Sequence, residues 1–193
     1  AASLILVSRT PETLGEYAAR GASVPFGDFA KPESLASAYA GGTKMLLISI
    51  SGGGGERAAL HKAAIDAAVA AGVRHIAYTS YVNADRHTSS SIAPDHQATE
   101  RLLMASGIAW TMLRNNIYAN GLVDQAEQIV REGRLVTHLP EARVAYVTRE
   151  DCAAAAAAVL ATPGHENRAY DISGPDFIGP RELAALAREI SGK

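Results

Sequence analysis

Apolar and polar positions along the chain change period several times, and the changes divide it into alternating short and long elements. Residues 3–8 (SLILVS) form an uninterrupted apolar run, as expected of a strand covered on both faces. Thr10 and Pro11 then suit the cap and first position of a helix that Gly21 ends. A short strand over 22–26 and a helix from Pro32 to Gly41 follow. The next apolar run, 44–49 (KMLLIS), leads into a glycine loop at 51–55, and an alanine-rich helix over 56–71 stops at Gly72. Further strands are predicted at 73–79 and 108–113, separated by a polar loop at 81–93 and a helix over 94–106. Beyond Arg114 the rhythm loosens. Helices are predicted at 122–132, 149–161 and 180–190, with strands at 143–147 and 169–173. Thr148 and Asp151 have the spacing of a capping box at the start of the second of these helices.

Strand–helix alternation at this spacing implies an α/β fold, a doubly wound parallel sheet with helices on both faces. The runs 3–8, 44–49, 73–79 and 108–113 are expected to be neighbouring or near-neighbouring parallel strands. Without a Pro- or Ser-rich linker, the 193 residues read as a single domain. In such sheets ligands collect beyond the carboxyl ends of the strands. That rule singles out Arg9, Asp28, Ser49, Thr79, Ser80 and the stretch from Arg114 to Tyr118.

Composition adds mainly exclusions. A net charge of -2 with no basic stripe argues against a nucleic-acid partner. No apolar run is long enough for a membrane span, and no basic and apolar leader pattern opens the chain. The lone cysteine, Cys152, rules out a disulfide framework within these residues and fits a reducing, cytoplasmic setting. It reads as a small buried hydrophobe, and Trp110 as core.

Each strand-end residue supports two readings. Arg9 offers a planar fork suited to a phosphate, or is a solvated loop arginine. Asp28 could accept from an adenine amino group with Phe29 beside the ring, or close an Asx turn. The glycines at 51–55 lack both the Lys-Ser/Thr ending of a phosphate loop and the GxGxxG pattern. His96 and Glu100 lie four apart on one helix face. No further metal ligands accompany them, so His96 is a candidate for contact with a ribose or nicotinamide, or for proton donation from its near-neutral reference pKa. The alternative is a surface His–Glu pair.

Taken in order, GDF at 27–29, LLIS at 46–49, AAGVRHIAYTS at 70–80, HQATERLL at 96–103, SGIAWTMLRNNIYAN at 106–120, VTREDCAAAAAAVL at 147–160 and GHENRAYDISG at 164–174 resemble the NmrA-like, atypical short-chain dehydrogenase/reductase family. The likeness is greatest to its bacterial NADPH:quinone oxidoreductase and triphenylmethane reductase branch. The resemblance implies a Rossmann-like NAD(P)-binding fold and NADP(H) as cofactor. By that resemblance Arg9 meets the NADP phosphate, Asp28 and Phe29 line the adenine, and Ile48, Ser49, Thr79 and Ser80 flank the dinucleotide. Asn115, Asn116, Ile117, Tyr118 and Asn120 lie over the nicotinamide. His96 and Tyr118 are the candidate catalytic residues. His96 stands where classical relatives carry the lysine of Tyr-x-x-x-Lys, but the position four residues earlier is Ile92. Direct hydride transfer to an electron-poor acceptor, with the protein positioning the two, is then expected.

The family also opens with a strand and a GxxGxxG turn, and carries a further C-terminal segment. This chain begins at what resembles the second strand, so these residues are expected to be part of a longer polypeptide, with a gap or an additional strand at the centre of the sheet. The expected activity is NADPH-dependent reduction of a quinone or similar conjugated acceptor, with a small-molecule substrate as partner and a homodimer as an option for assembly. Two alternatives differ in class: a non-catalytic NADP-binding sensor that acts through a protein partner, and a scaffold that binds no ligand.

Overall fold

The computed structural model describes residues 3–51, 55–86 and 92–192. The middle of the glycine loop and the Ser-rich part of the polar loop therefore lie outside the described residues. Four parallel strands form the main sheet: β1 (Lys44–Leu47), β2 (His75–Tyr81), β3 (Ala109–Asn115) and β4 (Arg168–Ile172), in the spatial order β1-β2-β3-β4. The helices are α1 (Gly15–Ala19), α2 (Leu35–Ala38), α3 (Glu56–Ala70), α4 (Ala93–Ala105), α5 (Asn120–Glu132), α6 (Arg149–Ala161) and α7 (Pro180–Ser191). Helices α3 and α4 cover one face. Ala64, Ile65 and Ala68 of α3 and Leu103 of α4 pack on Leu47, Ile76, Tyr78 and Met112. Helix α6 covers the other face through Ala156 and Val159, which meet Ala77 and Leu113. Its alanines leave little side chain between helix and sheet. Thr148 caps α6 by accepting the Asp151 amide at 3.0 Å. The reciprocal bond joins the Thr148 hydroxyl to the Asp151 carboxylate at 2.7 Å, where a capping box would use the backbone amide.

The N-terminal residues depart from the expected pattern. Residues 3–8 do not join the main sheet. They meet residues 23–26 through isolated parallel bridges, Ile5 with Ser23 and Ser8 with Phe26, and are half-buried or exposed rather than covered on both faces. Among the described residues no backbone hydrogen bond joins this pair to β1, which is bonded only to β2. The pair is nevertheless attached to the core, because Val7 and Phe29 pack against the α3/α4-side cluster. At Gly27 an added Cβ would run into the Val7 side chain, so only glycine permits this close approach. The expected cap from Thr10 is absent: no side-chain cap bond forms, and the segment opens as a 3-10 turn, Pro11–Leu14. The strand expected at 143–147 is reduced to two bridges, Val144 with Ile178 and Val147 with Tyr118. Trp110 is only half-buried at the edge of the core. Helices α5 and α7 form a satellite cluster around Ile129, Leu183 and Ala187.

Candidate functional site

The carboxyl ends of β1, β2 and β3 lie side by side at one edge of the sheet, and several of the strand-end candidates sit on them. Ser49, just past β1, donates its amide to Thr79 Oγ1 at 2.8 Å. In β3, Asn115 is buried, and its Nδ2 donates to the Tyr118 hydroxyl at 3.2 Å. Its Oδ1 is buried with no hydrogen-bond partner in the structure. A buried acceptor without a donor is costly. Alternation along the strands puts Thr79 and Asn115 on the same face as Ala77 and Leu113. Asn116 donates to Ser173 at 3.3 Å and accepts the Ile117 amide at 2.8 Å, which fixes the turn that leaves β3. Ile48, Ile117 and Tyr118 are exposed, with Ile48 at 62%. They offer apolar surface beside these polar strand ends.

Two groups that sequence reasoning did not single out, Arg149 and Tyr81, stand beside these strand ends. The Arg149 guanidinium lies 5.5 Å from the centre of the Tyr118 ring, a cation–π contact that ties the ring to the first residue of α6. Asn120 Oδ1 accepts the Arg149 amide at 3.3 Å. Tyr81, at the end of β2, stacks on His96 with ring centres 5.8 Å apart. The strand-end rule could have found Tyr81. Arg149 carried no such signal, because it is brought beside Tyr118 only by the Val147–Tyr118 bridge.

His96 and Glu100 are not a surface pair. Both are buried, at 7% and 3% exposure, and each has its own partner. His96 Nδ1 is 2.8 Å from the Tyr78 hydroxyl. Burial, with help from Arg57 and His61, pushes the His96 pKa down to about 4 against the opposing pull of Asp95. A proton donor working near neutrality needs a pKa near neutrality, and burial removes that basis for His96. Glu100 instead receives the Ser80 hydroxyl at 2.6 Å and a bidentate fork from Arg114 at 2.9 and 2.7 Å. Arg114 also pairs with Asp85 at 2.9 Å. Ser80 is thus buried and committed to Glu100. A groove of about 250 Å³ beside Met104, Trp110 and Met112 also borders Glu100 and Arg114, whose charges are already paired.

At the other end, Asp28 Oδ1 accepts the Ala30 amide at 3.0 Å, which is an Asx turn. Phe29 sits beside it, its ring centre 6.1 Å from that of His61. Arg9 is exposed just beyond the bridge at Ser8. Cys152 is buried, and burial and then Asp151 raise its pKa, which leaves the thiol inert. Among the described residues no group of three or more His, Cys, Asp or Glu could hold a metal, and no helix is long and apolar enough to cross a membrane.

A family model described as NAD(P)H-binding matches residues 1–163. Quinone oxidoreductase 2 of Escherichia coli (strain K12) is 37% identical over 193 residues, which is 100% of this chain and 67% of that protein. A crystal structure of an NADPH-dependent quinone oxidoreductase from Escherichia coli, complexed with NADPH, superposes with a TM-score of 0.91 at 38% identity, covering 97% of this chain and 65% of that one. The Citrobacter sp. triphenylmethane reductase complexed with NADP(H) gives a TM-score of 0.90 at 36% identity, covering 97% and 66%. The chain therefore spans about two thirds of the length of the relatives it matches.

Proposed function

Because the chain belongs to the NAD(P)H-binding family, we propose that it is the larger part of an NADPH-dependent reductase of quinones and similar planar conjugated acceptors. The observation that carries this reading is the buried, unpartnered Oδ1 of Asn115 at the end of β3. It is an acceptor suited to a carboxamide N–H beside an exposed aromatic wall. When bound, reduced NADP supplies a hydride. Arg9 would pair with the 2′-phosphate, with Asp28 and Phe29 beside the adenine. Ile48, Ser49, Thr79 and Ser80 would support the middle of the dinucleotide, Ser80 from beneath. Asn115, Asn116, Ile117, Tyr118 and Asn120 would border the nicotinamide. Tyr118, backed by Arg149, presents a flat face on which a planar acceptor can stack. His96 contributes as a neutral hydrogen-bond partner of Tyr78 and a stacking partner of Tyr81, so proton delivery to the reduced acceptor falls to solvent. A further strand and glycine turn, outside these residues and between residues 3–8 and β1, which share no backbone hydrogen bond among the described residues, would hold the pyrophosphate.

The test is turnover with NADPH and a panel of quinones, azo dyes and triphenylmethane dyes, followed through loss of reduced-nicotinamide absorbance. A reductase consumes the cofactor in an acceptor-dependent way. Binding without consumption across the panel would instead identify a sensor. Homes for these residues in the cytoplasm and in a homodimer are part of the same proposal, supported by the lone, buried Cys152 and the exposed apolar residues Val123, Leu186 and Ile190 on α5 and α7.

A further inference from the structure

Glu100, buried on α4, ties the ends of two neighbouring strands to one helix. Ser80 of β2 and Arg114 of β3 are register partners, so their side chains leave the sheet on the same face. Both reach the same carboxylate. The Ser80 hydroxyl donates to Glu100 Oε1 at 2.6 Å, and the Arg114 fork donates to Oε1 and Oε2 at 2.9 and 2.7 Å. The remaining arm of Arg114 pairs at 2.9 Å with Asp85, in the turn that follows β2. A bidentate, charge-assisted pair fixes direction as well as distance. Alternation along the strands carries that fixed geometry to the opposite face, where Thr79 precedes Ser80 and Asn115 follows Arg114. Asn115 is the residue that needs holding, because its Oδ1 is buried with no donor among the described residues. Left free, a side chain turns to satisfy such an acceptor, so it stays unpaired only where its surroundings hold it. The Tyr118 hydroxyl restrains its Nδ2, and the Glu100–Arg114 clamp restrains the strand on which it stands.

We infer that Glu100 and Arg114 are positioning residues, which act on the cofactor through Asn115 by fixing where the end of β3 stands. The inference rests on the NADP(H) reading above, in which Asn115 borders the nicotinamide. The test combines Glu100→Leu/Arg114→Met, which removes the clamp without stranding one charge of the buried pair, with Asn115→Leu, separately and together. Without ligand, the Asn115 Nδ2 protons of the clamp variant, read by NMR, should exchange with water faster than in the parent. Its dissociation constant for NADPH should rise about fivefold, the worth of one lost hydrogen bond. On an Asn115→Leu background the same substitutions should raise it no further, because residues that act through Asn115 then have nothing left to position. A merely structural role predicts the same rise on both backgrounds. That result, an unchanged dissociation constant in the folded clamp variant, or unchanged exchange at Asn115 would overturn the inference. Should the double variant fail to fold, Arg114→Lys takes its place with the same outcomes, because it keeps the charge and loses the fork. A parent protein that binds no NADPH, or an Asn115→Leu variant that binds it as tightly as the parent, would overturn the cofactor reading instead. The ligand-free exchange separates the two failures.

Discussion

The Tyr78 hydroxyl and His96 Nδ1 lie 2.8 Å apart inside the layer between β2 and α4, and neither group is ionised near neutral pH. Burial pushes Tyr78 up to about 12 and His96 down to about 4. His61 is likewise held down to about 4, first by burial and then by Arg57, with Asp95 opposing.

This has a consequence for stability. A histidine whose folded pKa lies below its unfolded value takes up protons on unfolding. Stability is then full above pH 6.5 and is lost as pH falls from about 6.5 to about 4. The loss is on the order of 3 kcal/mol per histidine at the lower end. Urea unfolding at pH 7.5, 5.5 and 4.5 should show this decline, and His61→Gln should flatten it. A parental profile level between pH 7.5 and 4.5 would contradict the neutral, buried state of both rings.

Glu100 is the buried anchor of the Ser80–Glu100–Arg114–Asp85 network. Neutralising Glu100 leaves the mostly buried Arg114 with only the half-exposed Asp85 as counter-charge, at a cost of up to about 3 kcal/mol. Glu100→Gln should lower the denaturant midpoint accordingly, and Glu100→Leu combined with Arg114→Met should recover part of the loss. A midpoint unchanged in Glu100→Gln would show that solvent already screens the pair.

Much of the fold was legible because its signals are local. The uninterrupted apolar runs before Ser49, Thr79 and Asn115, and the glycines after α3 and α4, mark a parallel sheet with crossover helices. The strand-end rule picks out Ser49, Thr79, Asn115 and Tyr118, and the structure pairs Ser49 with Thr79 and Asn115 with Tyr118. The failures share a cause in long-range pairing. Residues 3–8 look like a strand covered on both faces, but they pair only with residues 23–26 through isolated bridges and stay half-buried or exposed. The burial of His96 and Glu100 depends on Tyr78, Ser80 and Arg114, which lie on two other strands. The burial of His61 gave no signal, since its partners are an amide eleven positions earlier and a hydroxyl on another helix.

Arg9 should decide between the two nicotinamide cofactors. A guanidinium fork on a phosphate makes charge-assisted bonds about twice as strong as neutral ones. In Arg9→Ala the dissociation constant for NADPH should rise by one to two decades, about 1.5–3 kcal/mol, with NADH nearly unaffected. Titration calorimetry with both cofactors checks this. Equal changes for the two would make Arg9 a surface arginine.

Asn115→Leu keeps the volume of the side chain and removes its polar atoms. NADPH affinity should fall by about 1–2 kcal/mol, roughly five- to thirtyfold, while the unfolding midpoint holds or rises because a buried unpaired acceptor is gone. Unchanged affinity for NADPH would mean that Asn115 Oδ1 faces no part of the cofactor.

The central claim is that hydride passes directly from reduced nicotinamide to an acceptor at these strand ends. NADPH carrying deuterium at nicotinamide C4 tests it most directly, with an acceptor whose reduction makes a new C–H bond, such as a triphenylmethane cation. Mass spectrometry of the product should show one deuterium gained for each NADPH consumed. Product carrying hydrogen from solvent at that carbon, or NADPH that binds and stays unoxidised, would contradict the account.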